Sequence, residues 1–328
     1  MSKLHIIGAL DIGGTKIAAS IANENGPLAR LTAPTAKSGT VRALPEQAIG
    51  LLEAACAKAG VDPGLLTSVG VGSCGPFVDL DGGIGLAAPN ICGGEEAAAD
   101  LPNDWKAIPL QQVLRERFTH VLIENDCVAA LAAERTFGAV QDEPNCVYVT
   151  WSTGVGFGLC VDGNLLRGKG GNAGHAGHML MSENSDAQCG CGNIGDVEGM
   201  ISGRNLGNRL GKSTQDVFDA ARAGDPEARR LAQEAARRFG RALYNVAAVL
   251  DTRVFVIGGS VWTHHGDWLA GTVQQEIASR LPAVTRGVKI MPARLQGLVA
   301  DVGAFSLAMP REWITGWRAR QPWKALDE

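Results

Sequence analysis

Leu10-Asp11-Ile12-Gly13-Gly14-Thr15-Lys16 is the stretch that decides the fold. Ile6 and Ile7 precede it and Ile17-Ala18-Ala19 follow, so the pattern predicts a strand, a tight glycine turn and a returning strand. Without a Cβ at Gly13 and Gly14, backbone N–H groups come close to a bound group. A concave run of such groups favours anions. Thr15 adds a hydroxyl, Lys16 a positive charge, and Asp11 a carboxylate suited to a hydrated Mg²⁺. Together they describe a seat for the phosphates of a metal-bound nucleotide. A plain glycine hairpin fits the same letters.

The second half of the chain repeats this grammar about 140 residues later. Cys146 to Thr150 predicts a strand, Ser152-Thr153-Gly154-Val155-Gly156 a glycine turn with hydroxyls, and Phe157 to Val161 the return. Asp162-Gly163-Asn164 then reads as a hairpin turn. Val254 to Ile257 feeds a third glycine turn, Gly258-Gly259-Ser260. The expected fold class is therefore α/β, an internal duplication of two domains facing each other across an interdomain cleft. The expected domains are 1–121 and 122–328, with the last helix packing back on the first. Thr153 and Gly154 would grip phosphates opposite Gly13 and Gly14, and Gly258 and Gly259 would pass close to the adenosine.

Between these landmarks, apolar residues at helical spacing predict a helix from Arg42 to Lys58, ended by Gly60. Ser68 to Gly72 predicts a buried strand, and 86–104 a loop that includes Glu95-Glu96. Asp225 and Pro226 are the N-cap and first position of a long helix. Trp313 and Trp317, one helical turn apart, predict a helix docked on its own domain, the alternative being a subunit contact.

The net charge of −4 argues against nucleic-acid and membrane-surface partners. No transmembrane run or signal peptide is read, and the eight scattered cysteines fit reduced thiols in a cytoplasm. Gly70-Val71-Gly72-Ser73-Cys74-Gly75 matches a dinucleotide fingerprint, but Pro76 and a second turn follow where that fingerprint needs a helix. No GxxxxGK[ST] run is present, which excludes a Walker-type NTPase.

Two further stretches carry chemistry. Asn125-Asp126 ends an apolar strand and starts an alanine-rich helix, a natural active-site position. Asp126 has two uses there: an N-cap, or a base accepting the proton of a sugar hydroxyl as it attacks a γ-phosphate. The run 170–199 is glycine-rich and holds His175, His178, Cys189, Cys191, Asp196 and Glu198. His178, Cys189 and Cys191 supply three ligands for a structural Zn²⁺, which wants four. Two reduced thiols in a loop are the other reading.

These motifs in this order resemble the ROK family of bacterial sugar kinases, within the hexokinase and actin-like ATPase superfamily of ribonuclease H-like domains. The matching pieces are Asp11 to Lys16, Gly75-Pro76 with Val78-Asp79, Pro89-Asn90, Asn125-Asp126, Ser152 to Gly156, Gly177-His178, the Cys-Gly-Cys-Gly run ending in Glu198, and Ile257-Gly258-Gly259. The resemblance implies an ATP- and Mg²⁺-dependent kinase acting on a hexose or hexose-like substrate at a primary hydroxyl, with Asp126 as the base. It implies that Asn90, Asn125, Asp126, His178 and Glu198 hydrogen-bond the sugar, and that His178 also faces zinc. A homodimer is expected. A sugar-sensing regulator on the same fold is disfavoured, because only ten residues precede Asp11 and the chain is acidic. Two positions depart from the family pattern. His175 stands where the family has a glutamate touching the anomeric end of the sugar, so the preferred sugar differs or His175 substitutes in binding it. Asp196 stands where the family has a third cysteine, leaving zinc binding through oxygen or a loop held by hydrogen bonds. Glucose, N-acetylhexosamines, fructose and cyclitols remain open, as does polyphosphate against ATP.

Overall fold

A computed structural model describes residues 5–81, 83–94 and 101–326; Glu95-Glu96 in the predicted loop lies outside them. The chain divides into two compact units. The first comprises residues 1–141, 167–173 and 297–328, and the second 142–166 and 174–296.

In the first unit, β1 (Ile6–Ile12), β2 (Lys16–Asn23) and β3 (Gly26–Pro34) form an antiparallel meander. After α1 (Ala43–Lys58), β4 (Leu66–Ser73) joins β1 in parallel. A small hairpin follows, β5 (Phe77–Leu80) with β6 (Gly83–Leu86), then α2 (Leu110–Arg115). β7 (His120–Asn125) pairs with β4 in parallel and runs directly into α3 (Asp126–Thr136). The sheet order is β3-β2-β1-β4-β7.

The second unit repeats this plan. β8 (Cys146–Trp151), β9 (Val155–Val161) and β10 (Asn164–Leu165) form the meander. α4 (Val197–Ile201), α5 (Gly203–Leu210), α6 (Thr214–Ala223) and α7 (Pro226–Leu250) follow. β11 (Val254–Gly258) pairs in parallel with β8, and, after α8 (Ser260–Ala278) and α9 (Pro282–Thr285), with β12 (Lys289–Pro292). Its order, β10-β9-β8-β11-β12, matches the first sheet strand for strand. The duplication expected from two glycine turns is thus a duplication of topology.

Chain order does not respect the units, and here the expected division at 121/122 is corrected. β7 and α3 belong to the first unit because β7 completes its sheet. After β12 the chain returns to that unit with α10 (Val299–Ala308) and α11 (Arg311–Arg320). α10 comes so close to β4 that a Cβ on Gly70 would lie 1.9 Å from the Ala304 carbonyl oxygen. Trp317 of α11 is buried with Phe137, Phe305 and Trp323 around it, and its indole N–H donates to the Glu24 carbonyl. α11 therefore packs within the first unit.

Each sheet buries apolar residues against its helices, and in the first unit α1 and α10 cover opposite faces. In the first unit Leu10, Ile12, Ile17, Val69 and Val71 pack with Leu44, Ala48 and Leu52 of α1. In the second, Val147, Val149, Phe255 and Ile257 pack with Phe239, Leu243 and Val246 of α7. Asp225 caps α7 as predicted, accepting from the Ala228 N–H at 2.8 Å. Among the described residues no helix is long and apolar enough to cross a membrane.

One core residue bears on the pH dependence expected of the second unit. His265 on α8 is buried and stacks on Phe218 at 4.4 Å, and its Nδ1 has no hydrogen-bond partner among the described residues. Burial first, then the Arg222 and His264 charges, push its pKa below the usual 6.5, while Asp219 and Asp267 oppose the shift. A depressed histidine pKa favours the folded state above the unfolded value, and that advantage is lost as the pH falls. Between about pH 7.5 and about pH 5.5 the wild-type urea midpoint should therefore drop more steeply than that of His265→Phe. Parallel profiles would show that this histidine does not set the slope.

Candidate active site

In the first unit the phosphate-type turn is a tight β1–β2 hairpin. The Gly13 N–H donates to the Lys16 carbonyl at 3.0 Å, and the Thr35 hydroxyl donates to the Gly13 carbonyl at 2.7 Å. Asn90 lies close over Gly14: a Cβ there would lie 2.2 Å from its Nδ2, so the Asn90 side chain would have to move. Asn90 thus lies across the glycine turn, though 76 positions of sequence separate them. Thr15 and Lys16 are exposed at the tip.

Asp11 ends up among other acids. Its pKa is raised to about 7, by burial first, then by the charges of Asp126 and Asp301, against the pull of Lys16 and Arg30. Asp301 is buried on the first turn of α10, where it accepts from the Ser20 hydroxyl at 2.8 Å and from Arg30 Nε at 3.0 Å. Crowded carboxylates of this kind fit a hydrated divalent cation, which relieves their repulsion.

Asp126 sits at the first position of α3, exposed. The cap is Asn125, whose Oδ1 accepts from the Cys127 N–H at 3.0 Å; Asp126 Oδ1 shares that donor at 2.8 Å. Because Asn125 takes the capping position, Asp126 is not needed for it. Cys74, in the turn after β4, feels both acids: burial first, then Asp126 and Asp11, push its thiol up to about 12. That turn runs through a cis Gly75–Pro76 bond into β5 and not into a helix, so the GxGxxG match at 70–75 has no helix N-terminus for a pyrophosphate.

In the second unit the equivalent turn is 152–154. Glu198 of α4 lies across it as Asn90 does in the first unit. Glu198 Oε2 accepts from the Val155 N–H at 2.9 Å, and a Cβ on Gly154 would lie 2.6 Å from the same oxygen. Thr153 is exposed at the tip. Gly259, between β11 and α8, has φ +87°, and a Cβ there would press on the Trp151 backbone at 2.5 Å. Only glycine accommodates both demands. Gly258 ends β11 in line with Thr150.

The 170–199 run brings four ligand atoms together. His178 Nδ1, the sulfurs of Cys189 and Cys191, and a carboxylate oxygen of Asp196 all lie within 4.8 Å of one another. His178 Nδ1 is 3.6 Å from Cys189 Sγ, 3.4 Å from Cys191 Sγ and 3.2 Å from Asp196 Oδ2, and Cys191 Sγ is 3.6 Å from that oxygen. The edges of a tetrahedron around zinc, with ordinary Zn–N, Zn–O and Zn–S lengths, are about 3.3–3.8 Å. The donor set and its spacing therefore fit zinc, with Asp196 in the fourth position. Asp196 divides its oxygens, since Oδ1 caps α4 by accepting from the Gly199 N–H at 2.6 Å. Glu198 is next to this cluster, its Oε1 accepting from the Cys189 thiol at 3.3 Å. His175 stacks on His178 at 5.9 Å between ring centroids.

Sequence reasoning missed Asp301, Cys74 and Asn172. A signal for Asp301 was present: one carboxylate inside the apolar run Leu298-Val299-Ala300-Asp301-Val302 must be buried with partners. Asn172 carried none.

The ROK family model matches residues 7–311. A glucokinase from Aeropyrum pernix is 29% identical, covering 92% of this chain and 95% of its own. An N-acetylmannosamine kinase from Salmonella typhi is 35% identical, over 79% of this chain and 84% of its own. A ROK glucokinase from Streptomyces griseus, solved with glucose and AMPPNP, is similar at 29% identity and a TM-score of 0.66, covering 93% of this chain and 99% of its own. With the strand order, glycine turns and acid cluster set out above, these similarities place the chain in the ROK family.

Proposed function

We propose that this protein is an ATP-dependent sugar kinase that phosphorylates a primary hydroxyl of a hexose. The observation that carries the reading is Asp126: an exposed carboxylate at a helix start whose charge reaches Asp11 on the adjoining phosphate-type hairpin. Phosphoryl transfer needs little covalent chemistry from the protein, so positioning and charge do most of the work. Asp126 accepts the proton of the sugar hydroxyl as its oxygen attacks the γ-phosphate in line. Lys16, the amides of Gly14 and Thr15 at the hairpin tip, and Thr153 with Gly154 hold phosphate oxygens. Gly258 and Gly259 let the backbone approach the adenosine. Asp11 would hold the water shell of a Mg²⁺ ion, which when bound would offset phosphate charge.

In this reading Asn90, Asn125, Asp126, His175, His178 and Glu198 are the residues that hydrogen-bond the sugar. Zinc at His178, Cys189, Cys191 and Asp196 is structural. Because His178 would ligate through Nδ1, its proton sits on Nε2, which makes the outer edge of the ring a hydrogen-bond donor for a sugar hydroxyl. The similarity to an N-acetylmannosamine kinase favours an N-acetylhexosamine as the second substrate reading; fructose and a cyclitol are the remaining ones. A cytoplasmic homodimer is the setting proposed, supported for the compartment by eight free cysteines.

A coupled ADP-release screen over hexoses, amino sugars and cyclitols tests the reading directly, and turnover of none would reject it. Asp126→Asn should cut kcat by about 10²–10⁴-fold while sugar affinity stays within a few-fold; turnover near wild type would remove Asp126 from the role of base. His175→Glu should move the ranking of sugars towards glucose, and an unchanged ranking would show that this position does not select the acceptor. Asp196→Asn retains an oxygen for the Gly199 cap but no anionic ligand, so the purified variant should carry less zinc than wild type by elemental analysis. Equal zinc content would show that Asp196 is not a ligand.

A further inference from the structure

The segment 167–173 lies between β10 and His175 in sequence, yet it packs with the first unit. It is a closed loop: the Ala173 N–H donates to the Arg167 carbonyl at 3.0 Å, and Gly168 and Gly171 turn it at φ +70° and +80°. Two side chains dock it. Arg167 forms an ion pair with Glu124, two positions before Asp126. Asn172 uses both ends of its carboxamide on one residue: Oδ1 accepts from the Phe77 N–H at 2.7 Å, and Nδ2 donates to the Phe77 carbonyl at 2.8 Å. The amide thus acts as a single peptide unit of a neighbouring strand, satisfying both backbone groups of Phe77 on the side of β5 away from β6.

What this clamp holds is the turn from Ser73 to Pro76. One end of the turn is fixed where the Cys74 N–H donates to the Ile12 carbonyl at 3.1 Å, directly after Asp11. The Cys74 sulfur faces Asn90 Oδ1 at 3.9 Å, and its thiol senses Asp126 and Asp11. The other end is Phe77. Gly171 is pressed against the Phe77 ring, where a Cβ would come within 3.1 Å. The turn therefore runs past Asp11, Asp126 and Asn90, and its far end is pinned by Asn172.

We propose that Asn172 is a positioning residue for the acceptor sugar: it holds the Cys74–Pro76 turn in register beside Asp126, and through the turn it sets the place of the attacking hydroxyl. This rests on the sugar-kinase reading above. Misplacement of an acceptor by a fraction of an ångström costs rate steeply. The role belongs to the sugar and not to the nucleotide, whose proposed contacts lie on other turns.

The test compares wild type, Asn172→Ala and Asn172→Asp, using whichever of glucose and N-acetylmannosamine the wild type turns over faster. Asn172→Asp keeps the acceptor for the Phe77 N–H but sets an oxygen against the Phe77 carbonyl. Both variants should raise the sugar KM about tenfold or more while the ATP KM stays within about twofold, and the share of ATP lost to water should rise. Amide hydrogen exchange at Phe77 should speed up in Asn172→Ala, with β4 protected as before. An unchanged sugar KM in both variants overturns the proposal. So does a matched rise in both KM values with general loss of protection, the mark of loosened packing alone. Wild-type protein that phosphorylates no sugar is a separate result, which sinks the kinase reading itself.

Discussion

The close approach of a side chain to a glycine backbone at the end of the first strand of each sheet is the constraint on which the rest depends. Asn90 lies over Gly14 and Glu198 over Gly154, each within 3 Å of where a Cβ would stand. Neither approach tolerates a larger residue without moving the side chain that makes it. A glycine turn alone is an anion seat; a glycine turn with an amide or carboxylate laid over it becomes a seat with one open side. The two units reach this arrangement with different chemistry, neutral in the first and acidic in the second. Their shared topology supplies the position and their separate sequences supply the group.

Charge is the second organising factor. Around Asp11 two acids, Asp126 and Asp301, face two bases, Lys16 and Arg30, and burial is the largest reason its pKa rises. Asp301 contributes from the far end of the chain, with Arg30 and Ser20 as its partners. Asp301 is thus a buried acid with its own partners whose charge still raises the pKa of Asp11. In the 170–199 run the opposite holds: four ligand atoms lie within 4.8 Å of one another, and one aspartate oxygen ties the cluster to the start of α4.

Much of this was readable from local patterns. Asp11 to Lys16, Ser152 to Gly156 and Gly258-Gly259 are short, and their meaning is set by backbone geometry that sequence reports well. Asn125 and Asp126 were legible as a strand-to-helix junction, though not which of the two would cap. What escaped is non-local. The boundary of the first unit depends on β7 pairing with β4 and on α10 lying across β4, contacts between residues far apart in the chain. Asn172 gave no signal because its function is a contact with the backbone of Phe77, and any residue has a backbone.

The return of the chain to the first unit has a consequence for biosynthesis. α10 covers one face of the first sheet, contributing buried Val302, Ala304 and Phe305, and it is translated only after the whole second unit. On the ribosome the nascent first sheet must wait, one flank bare, while the inserted unit is made and has every residue it needs to collapse by itself. Vectorial synthesis thus favours an order in which the part begun later is finished earlier.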